Sequence, residues 1–331
     1  MEKSKFNLKK LTGTREMSLV MILIVLCIFI QARNSTFMSV ANINDLVTNA
    51  VMMSILAVGM MCVLLIGGID ISIGSTIAFS GMTVALLLRS HPEIPTVLSF
   101  ILGILVGTLC GLLVGLIITK GKVIPIIATL GLMNVYRGAT YLIANNQWVA
   151  AYQLPEGLKS FATGKFLGIN NMIVVAILIY IVFAYFIKFT RTGRKIYAVG
   201  SNVEAAGISG INIERVKILV YSIMGGLSGL VSILWLSKYA SAQGDAATGL
   251  EIDIIAACVI GGVSLNGGKG TVLGVILGTI TLGILNNALP LINISPFWQD
   301  TIKGLVIILA IIINTASQRS IDRKNLKRRE L

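Results

Sequence analysis

Apolar residues gather along this 331-residue chain into ten runs, near 17–32, 46–66, 72–88, 94–119, 124–143, 169–187, 218–237, 252–265, 271–289 and 302–315. This succession constrains the fold more than any single motif. A helix needs ~20 residues to cross ~30 Å of hydrocarbon, and several runs reach that length. Charged residues make up 12% of the chain, against ~25% in soluble domains, so an ordinary water-facing surface is ruled out. With 55% hydrophobic residues, a disordered chain is ruled out as well. The fold class is therefore an all-α polytopic membrane protein with about ten transmembrane or partly re-entrant helices. The runs at 72–88, 252–265 and 302–315 are short and flanked by glycine. They read as broken or re-entrant helices sheltered inside the bundle, where loose backbone is tolerated. The first run follows a basic start and resembles a signal peptide. Ala32-Arg33-Asn34 is a poor cleavage site, so the run reads as a retained first span.

Charge sets the direction. Ten crossings put both termini on one side. With that side cytoplasmic, the N-terminus, Lys120, Lys122, the 188–217 loop, Lys269 and the C-terminal tail hold 20 of the 27 Lys and Arg residues. The opposite side holds six: Arg33, Arg89, Lys159, Lys165, Lys238 and Lys303. That is the positive-inside bias, and it places both termini in the cytoplasm. It also explains the net charge of +13 with no nucleic acid partner. The organisation is a cytoplasmic tail over 1–16, a membrane domain over 17–315 carrying a cytoplasmic loop at 190–217, and a basic cytoplasmic tail over 316–331.

Metal and disulfide chemistry have little to draw on. The four cysteines, Cys27, Cys62, Cys110 and Cys258, each lie in an apolar run, and His91 is the one histidine. No ligand spacing exists, so no metal site is expected, and the cysteines read as packing residues. Glycine is informative. Gly103, Gly107, Gly111 and Gly115 fall four apart, which makes a ridge of small residues that a second helix can approach closely. Gly225, Gly226 and Gly229 repeat the theme, as do Gly274 and Gly278.

Within the longest basic-side loop, Ser201-Asn202-Val203-Glu204 has the pattern of a capping box. A short helix follows through Ala205, Ala206, Gly207 and Ile208, with Gly210 as its stop. In Gly67-Gly-Ile-Asp-Ile-Ser-Ile-Gly-Ser75, Gly67 and Gly68 break a helix, and Ser72 or Ser75 caps the next. Gly74 lies in the same run. Asp70 is placed near the membrane edge as a cap or structural partner, in preference to a proton relay. Val263–Gly270 is the nearest approach to a nucleotide-binding loop. It has Val in place of the first Gly and Gly270 in place of the magnesium-binding Ser or Thr, so it reads as a glycine turn. Arg137 sits inside an apolar run near Asn134 and Tyr136. A membrane-embedded Arg requires a partner, and these three are candidate pathway residues or structural ties. The outer loops carry Trp148, Tyr152, Glu156, Asp245, Glu251, Trp298 and Asp300.

Taken together, residues 193–212, the run Gly67–Ser75 and Ala256-Ala-Cys-Val-Ile-Gly-Gly-Val-Ser264, with Gly261 and Gly262, resemble the membrane permeases of bacterial ABC importers for monosaccharides. This is the ribose, xylose and galactose permease family, and the resemblance covers about residues 40–315. Gln147-Trp148 and Pro296-Phe-Trp-Gln-Asp300 look more like its rhamnose and autoinducer-2 branch. The resemblance implies a non-enzymatic transporter subunit in the bacterial plasma membrane that moves a monosaccharide or similar polyol-like solute by alternating access. It implies that Ser201–Ile208 match the family's coupling helix, which docks on an ABC ATPase. It further implies an extracytoplasmic sugar-binding protein and a second permease protomer, identical or homologous. Membrane lipid surrounds the whole. No cofactor is expected on this chain, because ATP and Mg belong to the ATPase partner. The competing readings are an ion-gradient-driven secondary transporter and a permease for autoinducer-2 or nucleosides.

Overall fold

The computed structural model describes residues 15–295 and, beyond them, 298, 301, 302, 304, 305, 308 and 312; for Arg15, Glu16, Ser18 and Ile22 it describes backbone only. The run expected at 302–315 and both tails therefore lie wholly or mostly outside the described residues.

The helices are α1 (Arg15–Arg33), α2 (Val40–Leu65), α3 (Ile73–Ser90), α4 (Thr96–Thr119), α5 (Pro125–Ile143), α6 (Glu156–Thr163), α7 (Asn171–Phe189), α8 (Arg191–Ser201), α9 (Val203–Ile208), α10 (Ile213–Tyr239), α11 (Leu250–Ile260) and α12 (Val272–Leu291). The strands Lys165–Phe166 (β1) and Ile169–Asn170 (β2) form a small antiparallel hairpin before α7. Among the described residues, seven helices are long and apolar enough to span a membrane: α2, α3, α4, α5, α7, α10 and α12. The ten expected runs thus divide unequally. The apolar part of α1 is a shorter helix over Leu19–Arg33. α11 has 11 residues, about 16 Å of rise, and cannot cross. Run 72–88 becomes α3, which has 18 residues and is a candidate span by length and composition.

Burial follows position in the bundle. α2 packs against α7, α10, α11 and α12, so Ile55 through Leu65 are buried on every side. α4 and α7 instead leave Ile101, Leu105 and Leu109, and Leu178, Ile181 and Val182, exposed. Such apolar stripes suit contact with lipid. The closest packing is α4 against α10. A Cβ on Gly107 would collide with Gly225 O, one on Gly111 with Tyr221 O, and one on Gly229 with Gly103 O. The backbones touch because neither helix carries side chains there. The ridge read from the four-residue spacing is therefore a helix–helix seam. Gly261 and Gly274 make a second one between α11 and α12.

Polar contacts define two ends. At one end lie Lys120 paired with Glu214, α8, α9 and the 261–271 turn. Lys122, Lys188, Arg191, Arg194, Lys195, Arg215, Lys217 and Lys269 belong to the same end. At the other, Asn34 Nδ2 donates to Leu291 O at 2.7 Å and Ser237 Oγ to Leu158 O at 2.6 Å. The segment 144–167 is more than an outer loop. It folds back through α6, bridges Val149 to Ala242, and buries Leu154 and Leu158 against Met82, Leu88 and Leu236.

Candidate functional site

The long basic-side segment is two helices. Thr190 caps α8, its Oγ1 accepting from Gly193 N at 3.0 Å. The capping box expected at Ser201–Glu204 is absent. Ser201 is the last residue of α8, and Asn202 N donates to Ala198 O at 3.2 Å. Asn202, in extended backbone, is the cap of α9: its Oδ1 accepts from Ala205 N at 2.9 Å. The cap moves one residue because α8 continues through Ser201 and keeps that residue helical. Gly210 closes α9 as read from the sequence, with Ile211 N donating to Ala206 O.

α9 projects from the bundle. Ala206 is its buried contact, at 4% exposure, while Ile208 is 90% exposed and Val203 45%. Glu204, Ala205 and Gly207 are exposed too. A bare isoleucine on a short helix, at the basic end of a bundle, is a surface shaped for a protein partner.

The other end of this element is wedged into the fold. A Cβ on Gly200 would collide with Leu65 O, and one on Gly268 would meet Ser201. Leu65 O is itself an acceptor from Gly268 N at 2.9 Å. Tyr197 Oη donates to Gly270 O at 2.7 Å. Burial raises the Tyr197 phenol above its ordinary pKa, so it stays protonated and remains a donor. Thus the C-terminus of α8 touches the end of α2 and the 261–271 turn together. Two of the motifs flagged in the sequence meet beside the third. Tyr197 and Gly200 carry this junction and were not singled out. The signal was present, since Gly193, Tyr197 and Gly200 recur at helical spacing on one face.

The motif Gly67–Ser75 lies deeper than its expected place at the membrane edge. Gly67, at φ +72°, ends α2 in a Schellman turn, with Gly68 N donating to Val63 O and Gly67 N to Leu64 O. Gly262, at φ +95°, ends α11 the same way. Gly68 then meets the Tyr221 side chain, eight residues along α10 from Ile213, or about 12 Å into the bundle. The chain runs on inward before α3 begins. Asp70, 3% exposed, is the structural partner expected: its Oδ1 accepts from Ser72 N at 2.9 Å and Ser72 Oγ at 2.6 Å. Neither serine side chain caps α3. Ser72 Oγ is turned to Asp70, and Ser75 Oγ donates to Ser72 O. Gly74 abuts Ala247 and Glu251. Glu251 belongs to the first turn of α11, with Asp253, rather than to the outer loop, and is 8% exposed.

The three candidate pathway residues are engaged in ties. Asn134 Nδ2 donates to Leu130 O on its own helix. Tyr136 Oη donates to Cys110 O at 2.8 Å. Arg137 Nη1 donates to Gly244 O and Ala246 O, both at 2.8 Å, and so pins the chain between α10 and α11. Among the described residues, no group of three or more His, Cys, Asp or Glu residues could hold a metal.

A family model described as branched-chain amino acid transport system / permease component matches residues 42–311. The ribose import permease protein of Bacillus subtilis (strain 168) is 40% identical over 292 residues, 88% of this chain and 90% of that protein. The ribose import permease protein of Escherichia coli (strain K12) is 34% identical, with 89% and 92% covered. The autoinducer 2 import system permease protein of Salmonella typhi is 33% identical over 325 residues, with 98% and 92% covered. No solved structure matches this chain.

Proposed function

Because this chain belongs to the family of transport-system permease components, we propose that it is the membrane-spanning subunit of an ATP-binding-cassette importer for a monosaccharide or similar small polyol-like solute. Relatives named for ribose and for autoinducer 2 support that cargo class. The basic end of the bundle faces the cytoplasm. There α9 docks on an ATPase subunit, which holds ATP and Mg. The opposite end, with the α6 cap and the exposed Trp148 and Tyr152, receives solute from a binding protein. A second permease protomer, identical or homologous, completes the pathway.

One observation carries the reading: α8 is wedged between the α2 end and the 261–271 turn while α9 stays bare. A displacement of α9 by a partner is thereby passed to α2 and α11, and these helices reach the interior. The Asp70 carboxylate is committed to Ser72, which speaks against the ion-gradient alternative.

The test is Ile208→Asp. Its side chain touches solvent, so the variant accumulates in the membrane at the wild-type level. ATP-dependent uptake falls about tenfold, the effect of losing one interface anchor. Normal uptake would refute the docking role. Uptake that collapses with an uncoupler and ignores ATP would favour the secondary transporter. Ala206 is a poorer probe, because its burial means that a bulky replacement also disturbs packing.

A further inference from the structure

At the end away from α9, helices α2, α10, α11 and α12 enclose a cavity of about 270 Å³. Its polar and aromatic lining is Asn49, Trp235, Tyr239, Asp253, Asn286 and Asn287. Trp235 and Asp253 also line a second, more open cavity of about 780 Å³. We propose that this pair of cavities is the solute-binding site of the pathway, and that it takes a neutral, polyhydroxylated molecule of monosaccharide size. The proposal rests on the transporter reading and assigns its binding residues.

The chemistry of each side chain supports the assignment. Asn286 Oδ1 is buried and has no hydrogen-bond partner among the described residues. An unmet buried acceptor costs about 1–3 kcal/mol, and a solute hydroxyl would satisfy it. Its neighbour Asn287 is already committed, in a reciprocal amide pair with Asn42 at 3.0 Å each way. Asn287 is therefore wall, and Asn286 is the available contact. Asn49 Oδ1 accepts from Lys238 Nζ, which leaves its amide nitrogen to donate. Trp235 packs tilted against Tyr239, ring centroids 4.6 Å apart. An aromatic face beside amides suits the C–H face of a sugar ring and its hydroxyls.

Charge narrows the class. The described lining residues include the Asp253 carboxylate and no Lys or Arg. Lys238 is held outside the lining by Thr48 O and Asn49. An amino acid or a phosphorylated solute would bring an anion to a lining whose described residues offer it no cation. A neutral polyol brings none.

The experiment uses the full chain in its native membrane with its transport partners. Cells are offered radiolabelled D-ribose, other neutral pentoses and hexoses, and L-leucine. Wild type imports a neutral sugar and not L-leucine. Asn286→Leu and Trp235→Ala lower that import roughly tenfold at unchanged membrane level, while Trp235→Phe, which keeps an aromatic face, retains most of it. A second measurement is independent of turnover. Ala50 lines the cavity without a polar group, so Ala50→Cys in a Cys27→Ser background reports access. The imported sugar, at twice its dissociation constant, slows maleimide labelling about threefold, and L-leucine does not. Wild-type import by Asn286→Leu and Trp235→Ala, or labelling indifferent to sugar, would overturn this site and leave the transporter reading standing. Preference for L-leucine would overturn the solute class. A wild type that imports no solute in an ATP-dependent manner would overturn the transporter reading, and this site with it.

Discussion

Asn202 shows how one residue can hold a functional element in place. Its side chain takes the Ala205 amide hydrogen, one of the donors a short helix leaves unmet. Asn202→Ala should therefore cost α9 about 1 kcal/mol. Hydrogen exchange at the Ala205 amide should speed up about fivefold, the rate equivalent of that loss. Ser201→Ala should leave the same amide unchanged, because Ser201 Oγ is not the cap. The sequence pattern pointed to Ser201. The choice depends on where α8 ends, and α8 is carried through Ser201 by its contact with Leu65 and Gly268. At Gly200 the same contact excludes any side chain.

Among the elements, the α4–α10 seam is the strictest. Gly107→Leu should destabilise the detergent-solubilised protein by about 1–3 kcal/mol or more, read as a lower thermal midpoint. The matched control is Gly131→Ala in α5. Nothing lies within 4 Å of a Cβ there, so alanine's helix propensity, about 1 kcal/mol better than glycine's, should hold or raise the midpoint. The seam was legible in the sequence because a four-residue glycine period needs only one helix to be seen. The break after α2 was legible too, from Gly67 and Gly68. Its depth was not. Asp70 reads as an edge residue when spans are drawn as straight cylinders. It is interior because the chain turns back inward after Leu65 and meets Tyr221.

The whole molecule has a basic end and a lidded end, and its orientation can be tested directly. Ile208→Cys should react with an impermeant maleimide only in inside-out vesicles. Tyr152→Cys, at a site 85% exposed, should react only in right-side-out ones. The reverse pattern would invert the transport direction assigned to the bundle. By itself, the sequence determined the class, the number of apolar runs, the sorting of Lys and Arg, and the glycine seam. Each of these follows from local composition and period, which hydrocarbon and water read segment by segment. Tertiary structure decided which of the described runs form helices long enough to cross, where the α9 cap falls, how deep Asp70 sits, and which of many amides and aromatics surround a cavity. Asn49, Trp235 and Asn286 are far apart in the chain and unremarkable one by one. Only the packing of α2, α10, α11 and α12 brings them together.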